Sequence, residues 1–118
     1  MLSIGSVVLG AADVARASRF WTVALDYVPR EPGDDTWVVL VPREGMGAQL
    51  ALDRSSSPLQ KYPRMHLDLY ADDQEAEVER LCGLGARRVD WDRYPDDPDF
   101  VVLADTEGNI FCVIDKSC

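Results

Sequence analysis

The sequence contains an internal repeat with an offset of about sixty residues. Asp13 and Asp73 occupy equivalent positions, and the apolar run 37–40 (WVVL) recurs at 100–103 (FVVL). Each copy has the apolar periodicity of a strand, a helix and three further short strands. Two such βαβββ modules predict an α+β fold, with a curved mixed sheet around a cleft and the helices outside.

The boundaries of the two modules follow from the repeat and from a polar stretch between them. Module one is predicted at 1–53 and module two at 64–118, joined by a linker at 54–63 that contains serines and prolines. A linker of this length is too short to separate independent domains, and a chain of 118 residues supports one hydrophobic core. We therefore expect a single domain at 1–118.

Turn and capping residues place the individual elements. In module one, a strand is predicted at Leu2–Gly10 and a helix at Val14–Leu25, for which Asp13 is a good N-cap. In module two, a strand is predicted at Met65–Ala71, followed by a helix that ends at about Leu84. The remaining strands are predicted at Tyr27–Glu31, Thr36–Val41, Ala48–Asp53, Arg88–Asp90, Asp99–Leu103 and Ile110–Asp115.

The composition restricts the partners and the compartment. Asp and Glu number 21 against 12 Lys and Arg, for a net charge of −9, whereas nucleic acid binding needs clustered cations. We therefore expect neither a nucleic acid nor a membrane partner. The three cysteines are an odd number without the spacing of a metal site, which predicts reduced thiols in a cytoplasmic protein. The apolar N-terminus lacks a basic region and predicts a strand rather than a signal peptide.

Alternation along the first strand of module two separates its apolar side chains from its polar ones. Leu67 and Leu69 fall on one face. The opposite face carries His66, Asp68 and Tyr70. Because the helix needs an apolar partner, we expect the polar face to line the cleft, as a ligand cavity requires. The same alternation adds residues of the other strands to this cleft face: Ser6, Gln49 and Cys112.

Several segments of the chain resemble one known family. They are the strand segment 66–69 with Asp73, the helix end at 84–86, and the strand and turn at 101–109. On these motifs the chain resembles the glyoxalase/bleomycin-resistance/extradiol-dioxygenase family, the vicinal oxygen chelate superfamily, in its branch of small bacterial glyoxalase-like domain proteins. The resemblance covers essentially the whole chain and implies the α+β fold and a homodimer. The superfamily spans isomerases, lyases, dioxygenases, thiol transferases and drug-binding proteins, so the resemblance implies no single reaction.

The resemblance also implies where a metal would bind. Metal-dependent members place four ligands on the cleft face, from the first and last strands of each module. Carried onto this chain, those positions are Ser6, Ala51 (or Gln49 after a shift of two residues), His66 and Cys112. Only His66 is a first-choice ligand, and Mg²⁺ or Mn²⁺ would lack the carboxylates that they prefer. We therefore expect no catalytic metal; the alternative is a divalent ion held by His66 with Gln49 or Cys112.

His66, the only histidine, is the main candidate for catalysis. Asp68 lies two residues further on the same face, so the pair predicts general-base or proton-transfer chemistry. The alternative is that both side chains belong to a polar network within the cleft. Cys112 also has two interpretations, because a nucleophilic thiolate needs a cation beside it and a buried thiol that fills space does not.

Aromatic residues are candidate walls for a flat ligand in the cleft: Trp37, Trp91, Tyr94 and Phe100. The alternative is that they pack over the end of the half-sheet. Together with Ser6, Gln49, Tyr70 and Cys112, they predict a protein that binds or sequesters a small aromatic ligand without a catalytic metal. The alternative function is a lyase, isomerase or dioxygenase-type enzyme that uses His66 as a metal ligand or as a general base with Asp68.

Overall fold

The computed structural model describes residues 1–117, which form two compact units. The first unit ends at Pro58 and the second begins at Leu59, within the stretch 54–63 that the sequence assigns to the linker. Each unit contains one helix and one four-stranded mixed sheet. The α+β fold of two βαβββ modules that the repeat predicts is therefore confirmed.

The first unit is a βαβββ module with a mixed sheet. Its strand order is β1-β4-β3-β2, in which β1 and β4 are parallel and the other pairs are antiparallel. The elements are β1 (Ser6–Ala11), α1 (Val14–Leu25), β2 (Tyr27–Pro29), β3 (Trp37–Pro42) and β4 (Gln49–Arg54).

Helix α1 begins and ends at aspartates that satisfy its free backbone groups. The Asp13 side chain accepts a hydrogen bond of 3.0 Å from the backbone N–H of Arg16, as an N-cap does. The helix ends at Asp26, which has a left-handed conformation with φ of 55°. One face of α1 packs against β3 and β4 and is buried, through Val14, Ala17, Phe20 and Trp21.

The second unit repeats this topology with the same strand connections. Its order is β5-β8-β7-β6, in which β5 and β8 are parallel and the other pairs are antiparallel. The elements are β5 (Leu67–Ala71), α2 (Gln74–Gly83), β6 (Arg87–Arg88), β7 (Phe100–Ala104) and β8 (Ile110–Asp115).

Helix α2 is fixed to the second sheet at its first turn. The Asp73 side chain accepts a hydrogen bond of 3.1 Å from the backbone N–H of Ala76. The Gln74 amide group donates hydrogen bonds to two backbone carbonyls of the sheet region, those of Asp99 (3.0 Å) and Val113 (2.9 Å). The buried side of α2, with Val78 and Leu81, packs against β5 and β8, which leaves the other face of the sheet open.

The turn between β7 and β8 is built on a buried carboxylate. Asp105 is only 3% exposed, and its Oδ1 accepts hydrogen bonds of 2.9 Å from the backbone N–H groups of Glu107 and Asn109. Gly108 completes the turn with φ of 90°, a conformation that favours glycine. The predicted turn at this position therefore has a specific hydrogen-bonding basis, which fixes where β8 begins.

Some predicted strand limits are wrong at their N-terminal ends. The strand predicted at Leu2–Gly10 begins only at Ser6, whose partner Gln49 is the first residue of β4. Residues 2–5 are apolar in part, but they have no neighbouring strand segment to pair with. The strand predicted at Met65–Ala71 likewise begins at Leu67. No helix within residues 1–117 is long and apolar enough to cross a membrane.

Candidate functional site

The open face of the second sheet brings the predicted polar residues together. In the parallel pair of β5 and β8, Asp68 lies opposite Cys112 and Tyr70 lies opposite Ile114. Because residues directly opposite each other share a face of the sheet, these four side chains lie on the face away from α2. Phe100 joins them from β7, since it lies opposite Ile114.

A cavity of about 490 Å³ covers this face, and all of its lining residues belong to the second unit. Its apolar and aromatic lining consists of Tyr70, Trp91, Phe100 and Ile114. Its polar lining consists of His66, Asp68 and Cys112. Three charged residues complete it: Arg93, Asp99 and Lys116. Aromatic walls with a few convergent polar groups are the usual composition of a small-molecule site.

The polar residues of the cavity form one compact cluster of potential ligand atoms. His66 Nε2 lies 3.0 Å from Asp68 Oδ1, and both side chains are about half exposed. With the Cys112 thiol, which is nearly buried, they offer three ligand atoms within 4.8 Å of one another. The sequence places His66 and Asp68 side by side, but it does not predict Asp68 as part of a donor set with Cys112.

The environment of Cys112 favours the protonated thiol. Burial raises the pKa of the thiol to about 11, and the neighbouring Asp68 carboxylate acts in the same direction. At neutral pH the free protein therefore holds Cys112 as a neutral thiol, which is a poor nucleophile. This agrees with the interpretation of Cys112 as a buried thiol, unless a bound cation displaces its proton.

The donor set matches some metal ions better than others. Imidazole nitrogen, thiolate sulfur and carboxylate oxygen are all zinc ligands, and three of them leave the fourth position of a tetrahedral site open. Neighbouring ligand atoms around tetrahedral zinc lie about 3.5 Å apart, so small side-chain rotations would bring these three residues into range. Mg²⁺ and Mn²⁺ prefer sets made of oxygen, which this cluster does not supply. The residues present therefore fit a borderline-soft ion such as Zn²⁺.

One wall of the cavity is supported by a residue of the predicted linker. The Tyr62 hydroxyl lies 2.8 Å from both carboxylate oxygens of Asp92 and donates to them. The Tyr62 and Trp91 rings pack in a T-shaped arrangement with centroids 5.5 Å apart, and the Arg93 Cζ atom lies 3.4 Å from the centroid of the Tyr62 ring. Tyr62 thus positions Trp91 and Arg93, which line the cavity. The signal in the sequence is an aromatic residue, next to a proline, in an otherwise polar linker.

Tyr94 lies apart from the cavity lining and contacts the neighbouring strand β7. Its hydroxyl accepts a hydrogen bond of 2.8 Å from the backbone N–H of Val102, and its ring lies 5.2 Å from that of Phe100. It thereby satisfies a backbone donor of the strand and packs against the ring of Phe100. This placement corresponds to the packing alternative for Tyr94, whereas Trp91 and Phe100 do line the cavity.

The predicted ligand contacts of module one share a face of the first sheet. Ser6 lies opposite Gln49, and Trp37 lies opposite Asp53 on the same face. Trp37 is 43% exposed, and the Gln49 side-chain oxygen accepts a hydrogen bond of 2.9 Å from Arg30. Ala51, between them along β4, is fully buried and offers no ligand atom. The ligand-binding roles of Ser6, Gln49 and Trp37 stay predictions.

The repeated module and the site face point to one class of protein. Two tandem βαβββ modules, with the polar residues of each sheet on the face away from its helix, are the architecture of the vicinal oxygen chelate superfamily. The chain belongs to the glyoxalase-like domain family, whose sequence model matches residues 6–114. No curated protein is significantly similar to it in sequence.

Solved structures share the fold at low sequence identity. A possible glyoxalase from Bacillus cereus has 16% identity and a TM-score of 0.70, with 97% of this chain and 99% of that chain covered. A glyoxalase-related enzyme from Fulvimarina pelagi has 16% identity and a TM-score of 0.70, with 98% and 89% covered. A mutant of the fosfomycin resistance protein FosX from Listeria monocytogenes, complexed with Mn(II) and a dihydroxypropylphosphonic acid, has 12% identity and a TM-score of 0.74, with 97% and 90% covered. At these identities the likeness shows the fold alone.

Proposed function

We propose that this chain is a small-molecule-binding protein that takes a small aromatic ligand on the open face of its second sheet. The observation that carries this proposal is the cavity of about 490 Å³, walled by Trp91, Phe100 and Tyr70 above a polar floor. Its volume lies in the range of small-molecule sites, and aromatic walls favour a flat ligand. The ligand contacts predicted in module one, Ser6, Gln49 and Trp37, stay predictions from the sequence.

The polar residues that line the cavity orient the ligand. His66 Nε2 lies 3.0 Å from Asp68 Oδ1, and either side chain can form a hydrogen bond with a polar substituent on the ligand. Such a substituent would replace water at a half-exposed site, so it adds specificity more than affinity. The function therefore needs no reaction step, because shape, aromatic contact and one polar group suffice for recognition.

A ligand screen by thermal shift on the full chain tests this proposal. Ligands that bind only the native state raise the melting temperature by mass action, and the first compounds screened are aromatic and antibiotic-like. For a hit, Trp91→Ala and Phe100→Leu should weaken binding by roughly tenfold, because each removes aromatic contact area. Val23→Ala, an exposed apolar substitution on α1, is the control. A hit with unchanged affinity for both cavity variants would contradict the proposed site.

A second candidate function rests on the donor cluster of His66, Asp68 and Cys112. These three residues would hold a divalent ion such as Zn²⁺, which supplies Lewis-acid chemistry when bound. In the absence of an ion, His66 with Asp68 would act as a general base toward the ligand. The FosX complex, which shares this fold, contains Mn(II), and this supports a test for metal binding by the chain.

Metal content and metal affinity separate the two candidates. The measurement is metal analysis of the purified chain, followed by titration with Zn²⁺, Ni²⁺, Mn²⁺ and Fe²⁺, for the parent chain and for His66→Ala. Stoichiometric binding that His66→Ala abolishes supports the metal-dependent enzyme and contradicts a metal-free binding protein. Ligand binding that persists in His66→Ala, without metal uptake by either chain, supports the binding protein.

A further inference from the structure

The guanidinium of Arg93 is held in one orientation beside the cavity. Its Cζ atom lies 3.4 Å from the centroid of the Tyr62 ring, so the planar group rests on the aromatic face. Tyr62 is itself fixed, since its hydroxyl donates to the Asp92 carboxylate at 2.8 Å and its ring meets the edge of Trp91. The result is a preorganised cation, whose orientation costs little further entropy when a ligand binds.

The hydrogen-bonding edge of Arg93 contacts no protein acceptor in the part of the chain that the structure describes. Within residues 1–117, Arg93 forms no hydrogen bond to a protein acceptor and no close ion pair, although its positive charge contributes to the lowered pKa of the adjacent Asp92 carboxylate. Stacking occupies only the face of the guanidinium and leaves its N–H donors at the edge. Other cations of this acidic chain do have carboxylate partners, as in the pairs Arg43–Asp26 and Arg80–Glu77.

Lys116 brings a second cation to the same cavity. It lines the cavity at the end of β8, and its Nζ atom lies 4.9 Å from the centroid of the Tyr70 ring. Within the described residues its ammonium group has no carboxylate partner. Two cations on one cavity lining, in a chain with a net charge of −9, give an anionic group on the occupant two positive partners.

We infer that the cavity recognises an aromatic ligand through an anionic oxygen group of that ligand. Arg93 donates hydrogen bonds to this group, and Lys116 contributes a second positive charge. The fork of the Arg93 guanidinium matches a carboxylate in two parallel hydrogen bonds, and a phosphate or phosphonate group offers the same oxygen chemistry. The inference deepens the proposed function and rests on it, because the aromatic part of the ligand is what the cavity walls bind.

Two carboxylates of the cavity lining, and Asp92 beside Arg93, oppose an anionic group on the ligand. Asp68 Oδ1 lies 3.0 Å from His66 Nε2, and a histidine offsets a carboxylate charge only when it is protonated. Asp99 also lines the cavity, and within the described residues its carboxylate has no ion pair, so it repels an anionic ligand. Replacement of Asp99 by Asn removes that repulsion without changing the size of the side chain, so Asp99→Asn should tighten the binding of an anionic ligand.

Three probes of similar shape test the inference by isothermal titration calorimetry on the full chain. They are 2-naphthoate, the neutral 2-naphthamide and 2-naphthyl phosphate. Charge-assisted hydrogen bonds to Arg93 predict that 2-naphthoate binds at least about tenfold more tightly than 2-naphthamide. Tighter binding of 2-naphthyl phosphate than of 2-naphthoate also supports the inference and assigns the anion to the phosphate class.

Variants of Arg93 connect the charge preference to this residue. Arg93→Gln should lose about tenfold or more in affinity for 2-naphthoate and leave 2-naphthamide unchanged, while Arg93→Lys retains part of the preference. Arg87→Gln, the same charge change on the exposed strand β6 outside the cavity lining, is the control and should bind as the parent chain does. The melting temperature of each variant shows whether it folds.

The outcomes distinguish the inference from the proposed function. Equal affinities for all three probes overturn the inference and leave the aromatic site standing. The same conclusion holds if folded Arg93→Gln keeps the full preference for the acid. Absence of binding by all three probes counts against the aromatic site itself, and the inference is overturned together with the proposed function.

Discussion

His66 Nε2 lies 3.0 Å from Asp68 Oδ1, and Asp68 lies directly opposite Cys112 across the parallel pair of strands β5 and β8. The strand register therefore brings together three different donor atoms from two chain segments more than forty residues apart in sequence. One nitrogen, one oxygen and one sulfur donor form a set with a definite metal preference. That preference and the state of the thiol can be measured separately.

We predict that the affinities of divalent ions for this cluster follow the order expected for a site with mixed nitrogen, oxygen and sulfur ligands. Zn²⁺ and Co²⁺ should bind at least about tenfold more tightly than Mn²⁺ or Mg²⁺, because thiolate and imidazole suit the softer ions. Co²⁺ absorption provides the measurement, since a thiolate ligand adds a sulfur-to-metal charge-transfer band. Cys112→Ser should abolish that band, whereas Cys82→Ser should leave it. A preference for Mn²⁺, or a band that survives Cys112→Ser, would show that the cluster is not the site.

We predict that Cys112 reacts slowly with alkylating reagents in the native protein. Its pKa is raised to about 11 by burial and by the Asp68 carboxylate, so at pH 8 its thiolate fraction is about a hundredfold below that of an ordinary thiol. Iodoacetamide at pH 8, followed by peptide mass spectrometry, should modify the half-exposed Cys82 well before Cys112. In urea the two should react at similar rates. Faster native reaction at Cys112 would contradict the protonated state.

The same pKa shift predicts how stability depends on pH at the alkaline end. The folded state holds the Cys112 proton more tightly than the unfolded state, so it contributes stability that is fully present below about pH 9. That contribution is lost as the pH rises from about 9 to about 11, because the unfolded thiol ionises first. Urea unfolding of the parent chain and of Cys112→Ser between these pH values checks the sign. The difference between the two chains should shrink as the pH rises.

The fold was predictable from the sequence because its signals are local and occur twice. Asp13 caps its helix as the sequence predicts, and Asp73, its equivalent in the repeat, caps the second helix; each cap needs only the residues of the first helical turn. The strand starts were predicted less well, since a strand begins where its partner begins. Ser6 starts β1 because Gln49, opposite it, starts β4, and the apolar character of Leu2 and Ile4 does not report this.

The candidate site was predictable only in part, because some of its contacts are local in sequence and others depend on how distant segments pair. The sequence places His66 beside Asp68 because the two residues are only two positions apart, although His66 precedes β5, which begins at Leu67. The contact of Asp68 with Cys112 depends on the register of β5 against β8, which one sequence does not reveal. Tyr62 was missed as a support for Arg93 because the contact depends on the path of a loop about thirty residues further along the chain.

We predict that the buried carboxylate of Asp105 stabilises the turn between β7 and β8. Asp105→Ala leaves the backbone N–H groups of Glu107 and Asn109 without their acceptor in a nearly buried turn, which should cost about 2–4 kcal/mol. Asp105→Asn retains an acceptor oxygen and should cost less than half of that. Urea unfolding monitored by circular dichroism measures both. Equal losses for the two variants would show that the hydrogen bonds are not the cause.

We predict that the hydroxyl of Tyr62 keeps the pKa of Asp92 below its ordinary value. The hydrogen bond from Tyr62 is the largest cause of the lowered pKa, and the charge of Lys61 acts in the same direction. Tyr62→Phe retains the ring under Arg93 and removes this donor, so the pKa of Asp92 should rise toward that of an ordinary aspartate.

Carboxyl NMR titration measures the effect of Tyr62→Phe residue by residue. Asp34 is the internal control, because its lowered pKa comes first from the Thr36 hydroxyl and should not change. A carboxylate with a lowered pKa adds stability above about pH 4 and loses it as the pH falls through the folded-state pKa. The parent chain should therefore be more stable than Tyr62→Phe at neutral pH, and the difference should disappear in acid. An Asp92 pKa that does not move in Tyr62→Phe would refute the role of this hydrogen bond.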